Sequence, residues 1–134
     1  MPADGKLLDV PDSSSSDHAV VRLDLPAQPR YIAAARVVAA SLGAESGLSV
    51  DDLDDLRLGV GELVATVIDG ADPDARVGLA YTTDGGVVTV TGRVAGSAAT
   101  ATPDELSRRI LAAVTDSYQL DGGSFSLTKS ASRH

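Results

Sequence analysis

The sequence predicts an α+β fold, a two-layer sandwich in which a mostly antiparallel sheet carries helices on one face. Four segments alternate apolar and polar residues, which is typical of half-buried strands. Three others repeat apolar residues every three or four positions, which is typical of amphipathic helices. Between two alternating segments stands Asp84-Gly85, a strong hairpin signal that pairs two of the strands antiparallel.

The elements follow in the order strand, helix, helix, strand, strand, helix, strand. The strands are predicted at 19–25, 76–82, 87–94 and 124–128. The helices are predicted at 30–42, 50–69 and 103–118. Gly43 is expected to end the first helix, and Leu106 is expected on the apolar face of the last one.

The helix at 50–69 has the clearest pattern. Ser49 is its expected N-cap, with Asp52 completing a short capping box. Leu56, Val60 and Val67 belong to one apolar stripe, which is expected to face the core. The acidic residues of its first turns interact favourably with the positive end of the helix dipole, and this interaction accounts for their position. The alternative is that they form a dedicated surface for a partner.

The composition of the chain limits the classes of function that it can have. The 134 residues suit one domain, expected at 19–130, between a disordered tail at 1–18 and a frayed end at 131–134. No cysteine is present, which excludes a disulfide framework, a thiolate zinc site and a cysteine nucleophile. A net charge of −8 argues against nucleic-acid binding, and no apolar run is long enough for a membrane span. We expect a cytoplasmic protein.

Glu62 is the strongest candidate for chemistry. It is the only charged residue between Arg57 and Asp69, and it shares a helix face with Gly59 and Thr66. Small residues beside a lone carboxylate leave space for a ligand against the helix. The alternative is a surface glutamate that pairs with Arg57 or is simply solvated. His18 and His134 lie in the predicted tails, so neither a histidine metal site nor a Ser-His-Asp triad is expected.

Residues 54–71, DDLRLGVGELVATVIDGA, resemble the N-box helix of the anti-sigma regulatory factors, the anti-sigma-F and anti-sigma-B type serine kinases of the histidine-kinase-like ATPase superfamily. The order of elements over residues 19–130 is similar as well. The resemblance implies a Bergerat-type fold. It also implies that Glu62 corresponds to the general base, and that Thr66 stands where the family has a magnesium-binding asparagine.

Other nucleotide motifs of the family are reduced. Gly92, Gly96 and Ser124 occupy positions near those that bind the nucleotide, but the adenine-binding aspartate and the glycine-rich lid are missing. Phosphoryl transfer needs phosphate clamping, magnesium and a base together. The resemblance therefore predicts no cofactor, with ATP and Mg²⁺ expected only if the chain is active as a kinase.

The resemblance implies an anti-sigma factor of bacterial stress-response regulation. Such a chain would sequester an RNA polymerase sigma factor, release it to a STAS-domain anti-anti-sigma factor, and in some cases form a homodimer. Arg30, Tyr31 and Arg36 are the candidate partner-binding residues, although each also suits an ordinary helix surface. The alternatives are an active serine/threonine kinase that phosphorylates the STAS protein, and a non-enzymatic α+β interaction module.

Overall fold

The computed structural model describes residues 19–95 and 102–132. The described strands are β1 (Ala19–Pro26), β2 (Arg76–Asp84), β3 (Val87–Val94), β4 (Ser117–Asp121) and β5 (Ser124–Ser130). The described helices are α1 (Ile32–Glu45), α2 (Val50–Ile68) and α3 (Glu105–Val114), with a 3-10 turn at Pro29–Tyr31 before α1.

The five strands form one antiparallel sheet in the order β1-β2-β3-β5-β4. The helices lie on one face of it. Tyr81 on β2 is fully buried there, and its hydroxyl donates to the carbonyl of Ala35 on α1 at 2.9 Å. The predicted α+β sandwich with helices on one face is confirmed.

The core forms between this face of the sheet and helix α2. Five α2 side chains are at most 1% exposed: Leu56, Val60, Leu63, Val64 and Val67. They include the three residues that are predicted from the sequence to form the apolar stripe, Leu56, Val60 and Val67. The predicted N-cap is also present, since the Ser49 hydroxyl accepts from the Asp52 N–H at 3.1 Å and Asp52 accepts in return from Ser49. Among the described residues, no helix is long and apolar enough to cross a membrane.

Gly43 does not end α1, so that prediction is wrong. The helix continues to Glu45, and Gly47 with a φ of 87° follows it. Gly43 is buried inside the helix, where an added Cβ would lie 2.7 Å from Leu53 Cδ2 and 3.1 Å from Leu56 Cδ2. The missing side chain therefore serves the close packing of α1 against α2.

The predicted helix at 103–118 is too long. Helix α3 ends at Val114, and residues 117–121 form β4, which pairs with β5. The hairpin turn uses Gly122, with a φ of 60°. The placement of Leu106 on the apolar face is also wrong, because Leu106 is 66% exposed while Leu111 is buried.

The predicted tail at 1–18 lies outside the described residues, as do 133 and 134 of the predicted frayed end. Ala131 and Ser132 are described. The Ala131 N–H donates to the carbonyl of Gly86 at 3.1 Å, and the Ser132 N–H donates to Asp52 at 2.8 Å.

Candidate functional site

Helix α3 lies against the face of α2 that carries Gly59 and Glu62. An added Cβ at Gly59 would lie 3.1 Å from Thr115 Cγ2 and 3.5 Å from Val114 Cγ2. The small residue thus permits the end of α3 to approach the α2 backbone. The space that the sequence predicts beside Glu62 is therefore filled, next to Gly59, by the end of α3.

Further along the same face, Glu62 is held by α3. Its Oε1 accepts a hydrogen bond from the Ser107 hydroxyl at 2.8 Å, and the carboxylate is partly buried. Ser107 is itself fixed at the start of α3, since its N–H donates to the N-cap Asp104 at 2.7 Å, a contact that lowers the pKa of Asp104. One carboxylate oxygen of the candidate base is therefore already engaged.

Thr66 lies one turn after Glu62 on α2. Its hydroxyl donates to the carbonyl of Glu62 at 2.8 Å, a bond within the helix. Magnesium prefers several oxygen ligands, with carboxylates foremost. In the part of the chain that is described, no three His, Cys, Asp or Glu side chains cluster as metal ligands. Thr66 and the engaged carboxylate of Glu62 are therefore a poor donor set for Mg²⁺.

Gly92 faces the helix-covered side of the sheet, and its environment is packed. An added Cβ would lie 2.3 Å from Cε2 and 2.6 Å from Cζ of Phe125, and 2.9 Å from Leu79 Cδ2. Phe125 is opposite Gly92 on the neighbouring strand, so its ring covers the glycine. This arrangement gives Gly92 a packing role.

Ser124 is not brought together with Glu62 and Thr66. In the sheet it stands in the row of Asp24, Gly78 and Arg93, on the face opposite the helices. Its hydroxyl donates to the carbonyl of Asp121 at 3.0 Å, within the β4–β5 hairpin. The remaining candidate, Gly96, lies outside the described residues.

The three candidate partner-binding residues lie at the beginning of α1. Arg30 is exposed and places its guanidinium 5.0 Å from the centre of the half-buried Tyr31 ring. Arg36 is also exposed, and its stem covers α2 at Gly61, where an added Cβ would lie 3.2 Å from Arg36 Cδ. The second contact places Arg36 at the surface where α1 and α2 meet.

A pocket of about 360 Å³ opens beside them. It lies between the start of α1, which contributes Pro29 and Ile32, and the end of α2, which contributes Ala65, Ile68 and Asp69. Mostly apolar walls with one carboxylate suit an apolar side chain that has a polar or cationic neighbour.

A buried polar cluster at the start of α2 was not predicted from the sequence. Asp52 is 3% exposed and accepts from the N–H and the hydroxyl of Ser132, at 2.8 and 2.5 Å. These two bonds hold its pKa far below the usual range. Lys129, also buried, lies 3.4 Å from Asp55 and 3.9 Å from Asp52. In the sequence, Lys129 follows Phe125 and Leu127 at alternate positions of β5, and this alternation indicates that Lys129 lies on the same buried face of the strand.

The histidine kinase-like ATPase domain family matches residues 25–123, more than half of the chain. The chain therefore belongs to the histidine kinase-like ATPase domain family. The crystal structure of the RsbU and RsbW domains of Rv1364c from Mycobacterium tuberculosis is similar, with a TM-score of 0.62 and 17% identity. The match covers 84% of this chain and only 32% of that one, and at this identity it shows the fold alone. No curated protein matches the chain.

Proposed function

We propose that this chain acts by binding: it sequesters an RNA polymerase sigma factor and releases it when a STAS-domain anti-anti-sigma factor competes. Family membership supports the partner-switching class, together with the resemblance of α2 to the helix of anti-sigma factors. We further propose that its nucleotide site is degenerate and that the chain is not a kinase.

The observation that carries the proposal of a degenerate nucleotide site is the contact between Glu62 and Ser107. A general base needs its carboxylate within hydrogen-bond reach of the proton that it removes. Here one oxygen of Glu62 accepts from Ser107 at 2.8 Å, and α3 packs on the same face of α2 at Gly59. Phosphoryl transfer requires phosphate clamping and a metal in addition to the base, and among the described residues no three His, Cys, Asp or Glu side chains cluster as metal ligands.

The partner surface that we propose is the junction of α1 and α2. Arg36 is exposed and its stem lies over Gly61, one helical turn after Ile32, which lines the apolar pocket. A pocket that accepts an apolar side chain, next to a fixed arginine, has the composition of a binding hot spot. The net charge of −8 favours association with a basic surface of the sigma factor.

Binding to purified sigma factors of the source organism, one at a time, tests the proposal. At least one should bind, and a STAS protein should displace it. Arg36→Glu should weaken the complex tenfold or more, which is about 1.4 kcal/mol. Arg109→Glu is the matched control, since Arg109 is an exposed arginine on α3 that pairs with Glu105 of the same helix. Absence of binding to every sigma factor, or equal losses in both variants, would contradict the proposal.

Calorimetric titration with Mg-ATP tests the degenerate site. We expect no heat, or a dissociation constant weaker than the high-micromolar range. Low-micromolar binding, with phosphate transfer to a STAS-domain serine that disappears in Glu62→Ala, would instead establish the kinase. Sigma binding should be nearly the same in Glu62→Ala and in the wild type, because Glu62 lies on the α3 side of α2, away from the proposed partner surface.

A further inference from the structure

The sheet face opposite the helices carries a groove of about 560 Å³ that the proposed function does not use. Its floor lies on β2, where Gly78 and Ala80 occupy successive positions on that face. An added Cβ at Gly78 would meet nothing within 4 Å. Strands β1 and β3 border the groove with longer side chains. Small residues between two such strands leave a channel about as wide as one strand, which suits an extended polypeptide segment.

Two arginines border the groove on opposite sides. Arg22 on β1 stands opposite Ala80, and Arg93 on β3 stands opposite Gly78. Both arginines line the groove and are exposed. Among the described residues, no ion pair includes either of them. Their charges are therefore available to an occupant of the groove.

The acidic residue that lines the groove does not neutralise these two charges. Asp24 on β1 is already paired with Arg76, whose Nε lies 3.1 Å from both of its carboxylate oxygens. The groove therefore presents positive charge, although the chain as a whole has a net charge of −8. Complementary charge favours an acidic occupant.

An acidic segment of suitable composition lies shortly before β1 in the chain. Residues 12–17 read DSSSSD, so two aspartates flank four serines. No apolar or basic side chain interrupts them, which suits a polar and cationic groove. Residues 96–101 follow β3 closely but have no charged residue, and residues 133–134 are an arginine and a histidine. Charge thus distinguishes residues 12–17 from the other two stretches.

The length of this segment matches the groove. Strand β1 begins at Ala19, which stands opposite Thr83 on β2. With about 3.4 Å per residue and about 4.8 Å between strands, the Cα atoms of Ala19 and Ala80 are roughly 11 Å apart, and those of Ala19 and Arg93 roughly 20 Å. The seven residues from 12 to 19 span up to about 24 Å when extended, so they reach both sides of the groove.

We propose that residues 12–17 bind in the groove of their own chain, with Asp17 at Arg22, Asp12 at Arg93 and the serines above the small residues of β2. The sequence predicts disorder for this stretch because it has little apolar content, and here two ion pairs take the place of apolar contacts. The groove lies on the sheet face opposite α1 and α2. The inference therefore does not rest on the proposed function and leaves the proposed partner surface accessible.

A disulfide between the segment and the groove tests this location. The chain has no cysteine, so Ser14→Cys with Ala80→Cys gives a single pair of thiols. The matched control combines Ser14→Cys with Thr89→Cys. Thr89 lies on the same sheet face but outside the groove, and its Cα is about 10 Å from that of Ala19, as near as Ala80. Mild oxidation should link the first pair within one chain at least tenfold faster than the control pair.

Charge exchange tests whether the two arginines hold the segment. In the first cysteine pair, Arg22→Glu together with Arg93→Glu should slow linking at least tenfold. Adding Asp12→Arg and Asp17→Arg to that protein should restore the rate, because each ion pair is re-formed with its signs exchanged. The control Arg109→Glu makes the same kind of charge change on α3 and should leave the rate unchanged. An equal effect of the control would overturn the assignment to these arginines.

A second measurement uses the chain without cysteines, in case a cysteine variant fails to fold. In NMR spectra, Asp12→Asn combined with Asp17→Asn should shift the amide signals of Gly78 and Ala80 but not that of Thr89. Unchanged signals at all three residues would overturn the inference.

Three outcomes of the disulfide experiment would also overturn the inference. Absence of linking would show that the segment does not visit the groove, and equal linking of the two cysteine pairs would show that it has no preferred position on the sheet face. A covalent dimer as the main product would show that the groove accepts a segment of another copy instead. None of these results bears on sigma binding, and a chain that binds no sigma factor would leave the inference intact.

Discussion

Replacing Gly92 by alanine should destabilise the domain because of steric conflict in the core. The added methyl would lie 2.3 Å from Cε2 of Phe125 and 2.9 Å from Cδ2 of Leu79, and both side chains are at most 5% exposed. Neither can move without displacing its own neighbours. Adding one methyl to a well-packed core costs roughly 1–3 kcal/mol. That is a substantial part of a typical stability of about 5–15 kcal/mol.

Gly78 offers the matched control for this change. It lies on the adjacent strand with its side-chain position on the opposite face, where an added Cβ would meet nothing within 4 Å and its φ is not positive. Gly78→Ala should be neutral or slightly stabilising, since alanine loses less backbone entropy on folding. Urea unfolding of both variants, followed by circular dichroism, measures the difference.

A double variant identifies the cause. If the Phe125 ring is the obstacle, Gly92→Ala combined with Phe125→Leu should be more stable than the sum of the two single changes allows, by about 0.5–3 kcal/mol. Gly92→Ala as stable as Gly78→Ala would refute the packing argument. An additive double variant would show that the phenylalanine ring is not what opposes the methyl.

Three further outcomes are expected. Leu56→Ala should cost roughly 2–5 kcal/mol in urea unfolding, because Leu56 is fully buried, and an unchanged midpoint would contradict that burial. Tyr81→Phe should lower the free energy of unfolding by about 0.5–1.5 kcal/mol through loss of the bond to Ala35. Because burial raises the pKa of Tyr81, the variant should also lack the tyrosine that ionises at the highest pH when absorbance is followed in an alkaline titration. The pKa of Asp52 is lowered in the folded state by Ser132, so its stabilising contribution is present above the unfolded pKa of about 3.9 and is lost as pH falls toward the folded value. Between pH 6 and pH 2.5, the free energy of unfolding should therefore fall less in Asp52→Asn than in the wild type. Equal falls in the two proteins would contradict the contact between Asp52 and Ser132.

Local signals allowed much of the fold to be predicted. The capping box at Ser49, the apolar stripe of α2 and the hairpin after Asp84 all depend on residues close in sequence, and all are present. Gly43 was misinterpreted because its role is tertiary: the glycine permits close packing of α1 on α2, and propensity alone cannot show this. Strand β4 was missed because its alternation is short, and its stability comes from pairing with β5.

The candidate site was predictable only in part. The spacing of Glu62 and Thr66 placed them on one face of α2, and the structure agrees. The partner of Glu62 could not be read from that spacing, because the registration of α3 on α2 depends on packing between distant segments. Ser107 did give a signal, since it precedes Leu111 and Val114 at helical spacing and so belongs to the inward face of α3.

The two faces of α2 explain why binding is the better proposal for this member of the family. Gly59 allows α3 to approach one face, and Gly61 lies under the stem of Arg36 from α1 on another. A catalytic carboxylate needs an accessible face with space for a substrate, whereas a binding surface needs exposed side chains held in fixed positions. The hydrogen bond from Ser107 engages one oxygen of Glu62, which counts against the first requirement. The packing of α1 on α2 supplies the second, because it fixes Arg36 at the surface beside an apolar pocket. Gly59, which suggests space for a ligand in the sequence, thus serves helix packing in the structure, and the exposed junction of α1 and α2 is the surface that we propose for a partner.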